Sequence, residues 1–343
     1  MRLHLAACLA LLALALAPAA LAGSAGAAVF NGYPALKGRY PWMASTVVQD
    51  WTMDDDNNVI MKKTRRHNCG ASLIHPRVLL TAAHCLYING INEWYADLDP
   101  KLQDNTFPQV RLGAYNTSIK GDMGVETRRV VAATVHRLYN HTVTGNDHQN
   151  DVALMLLDRP SRLPTVALPK SMRVGAAVQP GTELFLIGWG TSAFTPTIGQ
   201  DDDGTPLIEQ KTVDPHVLQE VDMALNTPAL CARRYPAYPF WKGNAFSTDI
   251  CAGAPYRKTS SCYGDSGGPL FVKAKRGSKQ QDMQVGIVSF AHDCGTLSPT
   301  VFTNVAHYVD WIHGGIKVLL ENGARPAACR KSVVMGNHRV KCK

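Results

Sequence analysis

Three polar residues of this sequence lie in segments suited to acyl chemistry. They are His84 in Leu80-Thr81-Ala82-Ala83-His84-Cys85, Asp151 in Asn150-Asp151-Val152-Ala153-Leu154, and Ser266 in Gly264-Asp265-Ser266-Gly267-Gly268-Pro269. A serine hydroxyl is a weak nucleophile at neutral pH and needs a base to take its proton as it attacks. Imidazole titrates near neutrality, which suits His84 to that role. A carboxylate such as Asp151 would hold one tautomer of the ring and stabilise the imidazolium that forms. Glycines 264, 267 and 268 let the backbone turn sharply around Ser266. Taken singly, each segment also has an ordinary reading: a structural histidine, a turn aspartate before an apolar strand, a serine in a glycine turn.

The elements available to position these residues are mostly short. Val47-Val48, Ser72 to Ile74, Val78 to Leu80, Val130-Val131, Val152 to Leu157, Leu184 to Ile187 and Val285 to Phe290 are brief runs rich in apolar or β-branched residues, separated by Gly and Pro. That pattern predicts an all-β barrel or sandwich. Helices are expected at Val305 to Ile312, with Gly314-Gly315 as its stop, and after Thr227-Pro228. Four segments read as long loops: Gln49 to His67, Tyr87 to Pro108, Thr195 to Thr212 and Lys273 to Asp282.

The 343 residues are 45% hydrophobic and 18% charged, enough for a substantial core and unlike a disordered polyampholyte. Residues 1–28 read as an export signal. Arg2 is followed by the Leu/Ala run Leu9 to Leu16, then Pro18 and small residues, with cleavage points after Ala22 and Ala28. An uncleaved membrane anchor is the competing reading, but the apolar run is short for a span. Removing the signal removes Cys8 and leaves eight cysteines, which in an exported chain read as disulfides. A metal site is the alternative, yet there is no paired C-x-x-C and no H-E-x-x-H. The sequons Asn116-Thr117-Ser118 and Asn140-His141-Thr142 could carry glycans. The formal net charge is +8, and Lys317 to Lys343 holds seven Lys/Arg against one acid, Glu321. Such a tail suits an anionic polymer, or is simply a solvated basic segment.

Together, and in the order His, Asp, Ser, the three motifs resemble the chymotrypsin-like serine peptidases. The landmarks Tyr40-Pro41-Trp42, Gly188-Trp189-Gly190 and Val288-Ser289-Phe290 fall in the family's order, and the resemblance runs from about Val29 to Ile316. It implies two packed six-stranded antiparallel β-barrels with a C-terminal helix. The chain would divide into a signal at 1–28, a peptidase domain at 29–316 and a basic tail at 317–343. It implies a secreted endopeptidase with His84, Asp151 and Ser266 as triad, and an oxyanion hole from the N–H groups of Gly264 and Ser266. Asp265 would pair with a new α-ammonium at Val29, the start of Val29-Phe30-Asn31-Gly32. Family precursors usually carry Lys or Arg before that point, whereas this chain has Ala27-Ala28, so release of an active enzyme by signal peptidase after Ala28 is expected; cleavage after Ala22 would instead leave Gly23 to Ala28 as a short propeptide.

The resemblance also maps a specificity pocket. Ser260 falls at its floor, with no Asp to attract Lys or Arg, and Ala291 and Thr300 fall at wall positions that are glycine where large aromatic side chains are accepted. Small or medium apolar P1 residues are the expected preference, with an aromatic preference as the alternative. Ser289 would support Asp151, and Ser289, Phe290 and Ala291 would pair with the substrate backbone as an added strand. The family's disulfides imply Cys69–Cys85, Cys231–Cys251 and Cys262–Cys294, leaving Cys329 and Cys342 to each other. Some members bind calcium after Leu112-Gly113; here Ala114 stands at the first ligand position, with Asp122 and Glu126 nearby, and no calcium requirement is expected. No motif points to a nucleotide, nucleic acid, metal or other cofactor, and a monomer is the default. The rival function is a catalytically silent homologue that binds a partner.

Overall fold

The structure is a computed structural model that describes residues 29–53, 59–88, 93–94, 109–118, 124–139, 148–171, 178–200, 206–236, 238, 248–253, 258–275, 277–322, 333–335 and 338–342. The expected signal, most of Tyr87 to Pro108, and Asn140, Asp122 and Cys329 lie outside these residues.

Six strands close the first barrel: β1 (Met43–Met53), β2 (Val59–His75), β3 (Val78–Thr81), β4 (Gln109–Leu112), β5 (Glu126–His136) and β6 (Ala153–Leu157). They pair antiparallel in the order β5-β4-β1-β2-β3-β6, and β6 returns to β5. The inward residues Leu73, Leu79, Val110, Leu112, Val135 and Met155 fill the interior. Full burial of β3 and β6 explains why both read as continuous apolar runs rather than alternating ones.

The second barrel contains β7 (Glu183–Gly188), β8 (Gln219–Ala224), β9 (Asp249–Ala252), β10 (Pro269–Val272), β11 (Met283–Phe290) and β12 (Thr300–Asn304). Their order is β8-β7-β10-β11-β12-β9. The Gly253 N–H donates to the Ala224 carbonyl and the Asn226 N–H to the Cys251 carbonyl, which brings β9 back to β8 and completes the ring. Both six-stranded barrels of the expected fold are therefore present.

Three sequence expectations are corrected. The segment 49–67 is not a loop: β1 and β2 extend past the barrel as a ladder reaching Met53↔Val59. The segment 195–212 likewise forms a hairpin, Ala193–Gln200 against Pro206–Val213. Backbone hydrogen bonds specify these ladders, and neither run carries the apolar alternation that marks a half-buried strand.

The third correction concerns Gly314-Gly315, which does not stop a helix. After turns at 305–308, helix α2 runs from Val309 to Asn322 straight through both glycines. Ile316, Leu319 and Leu320 continue the apolar spacing of Ile312 and pack against the cluster that covers Ala132, Leu154 and Leu156 of the first barrel. That burial outweighs a glycine penalty of about 1 kcal/mol each. The shorter helix, α1 (Pro228–Arg234), begins where expected, with the Thr227 hydroxyl accepting the Leu230 N–H at 3.2 Å. Beyond α2, β13 (Val333–Met335) and β14 (His338–Cys342) pair with each other, and β14 pairs with β5 from Cys342↔Ala132 to His338↔His136. The basic C-terminal segment thus supplies a helix end and an added barrel strand.

Leu319 is fully buried beyond the two glycines. Leu319→Ala should cost about 2–5 kcal/mol, as burial of this size elsewhere does. Denaturant unfolding measures it, and a cost below about 1 kcal/mol would mean that the helix end does not pack as described.

Candidate active site

β3 ends at Thr81, and the chain turns through two small buried residues, Ala82 and Ala83, into a single 3-10 turn that begins at His84. Asp151 precedes β6 and is fully buried. Its Oδ1 accepts the His84 backbone N–H at 2.9 Å. Its Oδ2 accepts the His84 Nδ1–H at 2.8 Å and the Ser289 hydroxyl at 2.6 Å. Its backbone carbonyl accepts the Thr303 hydroxyl at 2.8 Å. Burial favours the neutral acid, but the His84 ring and the Ser289 hydroxyl outweigh it and hold Asp151 below the usual carboxylate range. Burial alone would depress His84, and the Asp151 charge reverses this and raises its pKa above the usual imidazole value. With Nδ1–H committed to Asp151, Nε2 is the ring's basic nitrogen.

Ser266 lies in the turn before β10. Gly264 takes φ +97° and Gly267 φ +73°, conformations that favour glycine. The Gly70 N–H donates to the Ser266 carbonyl at 2.8 Å. Gly70 adjoins Cys69, which is disulfide-bonded to Cys85, the neighbour of His84. Ser266 and His84 are thus tied through β2, although no hydrogen bond joins the Ser266 hydroxyl to His84 among the described residues. Neither the Gly264 nor the Ser266 N–H has a protein acceptor among the described residues, leaving both available to an oxyanion. The far side of this turn is braced by His67. Its Nε2 lies 2.8 Å from the Gly264 carbonyl and its Nδ1 2.7 Å from the Ser45 hydroxyl. Burial pushes His67 down to about 4, so the ring is neutral, with Nε2–H donating to Gly264 and Nδ1 accepting from Ser45.

Asp265 is fully buried beside Ser266. Its Oδ1 accepts the Gly190 N–H and its Oδ2 the Cys262 N–H, both at 2.9 Å. A Cβ on Gly188 would come within 2.0 Å of that carboxylate, and one on Gly190 within 2.5 Å, so the Gly188-Trp189-Gly190 motif makes the room it occupies. Among the described residues no cation pairs with Asp265, and burial raises it to about 7. Val29 is buried in the second barrel's core, and the next residue, Phe30, donates its N–H to the Ser260 carbonyl at 3.0 Å. Val29 holds φ +52°, a strained value for a β-branched residue, with a cost of about 1–3 kcal/mol.

A cleft of about 200 Å³ is lined by Ser266, Ser261, Tyr263, the strand residues Ser289 and Phe290, and Ala291 just after them. Ser260 and Thr300, expected as floor and wall, lie fully buried behind this lining. The Ser260 hydroxyl accepts the Gly295 N–H at 2.8 Å. Thr300 Oγ1 accepts the Ser261 N–H at 3.0 Å and lies 3.1 Å from the Ser261 hydroxyl. Phe290 is stacked between His148 and Tyr238, at ring separations of 4.7 and 4.8 Å. Tyr263 also lines a larger cavity of about 890 Å³ on the Gly264 side, walled by residues of both barrels.

The disulfides Cys69–Cys85, Cys231–Cys251 and Cys262–Cys294 are present, while the fourth pairing falls outside the described residues. Ala114 is buried, and Glu126 is engaged by Arg128 at 2.5 Å and by the Arg162 N–H at 3.1 Å. His67, Thr303 and Ser261 had no signal in the sequence. They reach the site through strand register, and His67 sat in a stretch without periodicity.

Buried Asp265 gives the uncut chain a pH signature. The folded chain keeps a proton that the unfolded chain releases near 3.8. Stability should therefore fall as pH rises from about 4 through about 7. Burial also raises Asp249 to about 7, so Asp265→Asn should remove about half of that slope in thermal unfolding of the Ser266→Ala protein, and an unchanged slope would place the titration elsewhere.

The chain matches the Trypsin family over residues 29–312. It is 31% identical to Serine protease 7 of Drosophila melanogaster, across 83% of this chain and 64% of that protein. It is 30% identical to Kallikrein-11 of Homo sapiens, across 84% and 80% of the two chains. It is also 30% identical to Chymotrypsin-C of Bos taurus, across 86% and 94%. Motif order, paired barrels and matched length together make this chain a member of the trypsin family of chymotrypsin-like serine peptidases, a serine endopeptidase that hydrolyses protein or peptide substrates.

Proposed function

We propose that His84, Asp151 and Ser266 perform the hydrolysis. The observation that supports this most directly is the bond from His84 Nδ1–H to buried Asp151, because it leaves Nε2 as the base. His84 Nε2 takes the Ser266 proton as Oγ attacks the scissile carbonyl carbon. The N–H groups of Gly264 and Ser266 hold the resulting oxyanion, each worth about 3–4 kcal/mol of barrier. His84 then protonates the leaving amine, and a water deprotonated by His84 hydrolyses the acyl-Ser266 ester. The Ser289 hydroxyl helps keep Asp151 ionised, and Thr303 holds it in place through its backbone carbonyl.

The cleft supports a preference for small or medium apolar P1 residues. Its volume is modest, and Ser261 closes one side, backed by the buried Thr300 hydroxyl. Such pockets discriminate by only about 1–3 kcal/mol per methylene, so the preference is broad. Ser260 offers no charge for Lys or Arg. Residues Ser289 to Ala291 receive the substrate backbone as an added strand.

Activation proceeds by cleavage before Val29. The new ammonium pairs with Asp265, and loss of the Ala28–Val29 bond releases the φ strain at Val29. Signal peptidase action after Ala28 would do this during export, which fits a secreted enzyme. No helix among the described residues is long and apolar enough to cross a membrane. The protein acts as a monomer on protein or peptide substrates. The peptidase domain starts at Val29, and part of the basic segment 317–343 belongs to it, as the end of α2 and as β14.

Three measurements test this reading. On peptide p-nitroanilides varied only at P1, cleavage should favour Ala, Val or Leu and vanish in Ser266→Ala. Dominant cleavage after Phe or Arg would overturn the pocket assignment while keeping the triad. Because only neutral His84 can act as base, kcat/KM should fall with acid along a limb centred above 6.5, and a limb below that value would contradict the Asp151 pairing. Thr300→Gly should raise kcat/KM for Phe over Ala at P1 by about tenfold or more. No change would remove Thr300 from the pocket wall.

A further inference from the structure

A cavity of about 320 Å³ opens on the second barrel and shares no lining residue with the Ser266 cleft. One wall is the last turn of α1, which ends in the exposed pair Arg233-Arg234. Opposite lies the turn Thr296 to Pro299, in which Thr296 Oγ1 donates to the Asp293 carbonyl at 3.2 Å and accepts the Ser298 N–H. Thr259 lines the cavity too, and its hydroxyl is buried with no hydrogen-bond partner. Among the described residues no carboxylate lines the cavity. Neither arginine makes an ion pair among the described residues. The neighbouring sequence deepens the imbalance. From Asn226 to Lys258 the bases are Arg233, Arg234, Lys242, Arg257 and Lys258, and the only acid, Asp249, is buried in the barrel.

Two guanidinium forks beside hydroxyl groups, with no competing acid, match an oxyanion. A single free anion held by exposed arginines is weakly bound, because water and salt screen it. A polymer that repeats the anion gains avidity, helped by the formal charge of +8. We propose that this cavity binds a sulfate group of a sulfated polysaccharide, with Arg233 and Arg234 as the two clamps. The site is independent of the hydrolytic reading, since it can be read with no turnover.

The test is calorimetric titration of the full chain with dextran sulfate, unsulfated dextran and inorganic sulfate at constant ionic strength. Arg233→Ser/Arg234→Ser should weaken dextran sulfate binding at least about tenfold. Two charge-matched doubles should weaken it less than about twofold: Lys275→Ser/Lys279→Ser on an exposed loop and Arg339→Ser/Lys341→Ser on β14. Arg233→Lys/Arg234→Lys keeps the charge and the fold but removes the forks, and should lose several-fold. Equal losses in all three serine doubles would show attraction by net charge alone and overturn the site, as would a loss confined to Arg339 and Lys341. Inorganic sulfate binding as tightly as the polymer, or equal binding of unsulfated dextran, would overturn the polysaccharide assignment.

Discussion

Everything in this molecule is arranged around one buried negative charge. Asp151 has no contact with solvent, and an unpaired carboxylate in that position would cost several kcal/mol. Its charge is tolerated because donors converge on it from two separately closed barrels. His84 donates from the turn after β3 and the Ser289 hydroxyl from β11, while Thr303 of β12 holds the Asp151 backbone carbonyl. Neither barrel alone can satisfy the carboxylate. Docking of the barrels and ionisation of Asp151 are therefore one event, and the basicity of His84 follows from it.

Asp265 is the counterpart that lacks such compensation. It is equally buried, yet among the described residues only two backbone N–H groups face it, and burial raises it to about 7. The two acids show how far environment separates identical side chains. Beside the first, a histidine completes the charge balance. The second adjoins the Ser266 turn, with two glycines cleared to admit it and a strained valine buried in the same barrel.

The chemistry was more legible in the sequence than the scaffold that holds it. His84, Asp151 and Ser266 stand in dense local motifs, because a nucleophile's turn needs glycines and a buried acid needs an apolar strand beside it. Thr303 and His67 had no such neighbours. Thr303 matters because β12 places its hydroxyl on Asp151, and His67 because β2 carries it behind Gly264, and register of this kind leaves no local pattern. The extended hairpins were hidden because their ladders rest on backbone pairing, without an apolar face. Gly314-Gly315 misled for the opposite reason. The propensity was read correctly, and the packing of Leu319 and its neighbours overrode it.

The position of β14 also bears on the order in which the chain can fold. Its partner residues, Ala132 to His136, lie some two hundred positions earlier. During synthesis the first barrel must therefore form with one flank of β5 unpaired until the whole second barrel has been made. That flank is a row of unpaired backbone groups of the kind other chains recruit. Until its final strand arrives, that edge stays open to pairing with other chains. An interrupted synthesis would release a molecule whose active-site motifs are all present and whose surface is still sticky.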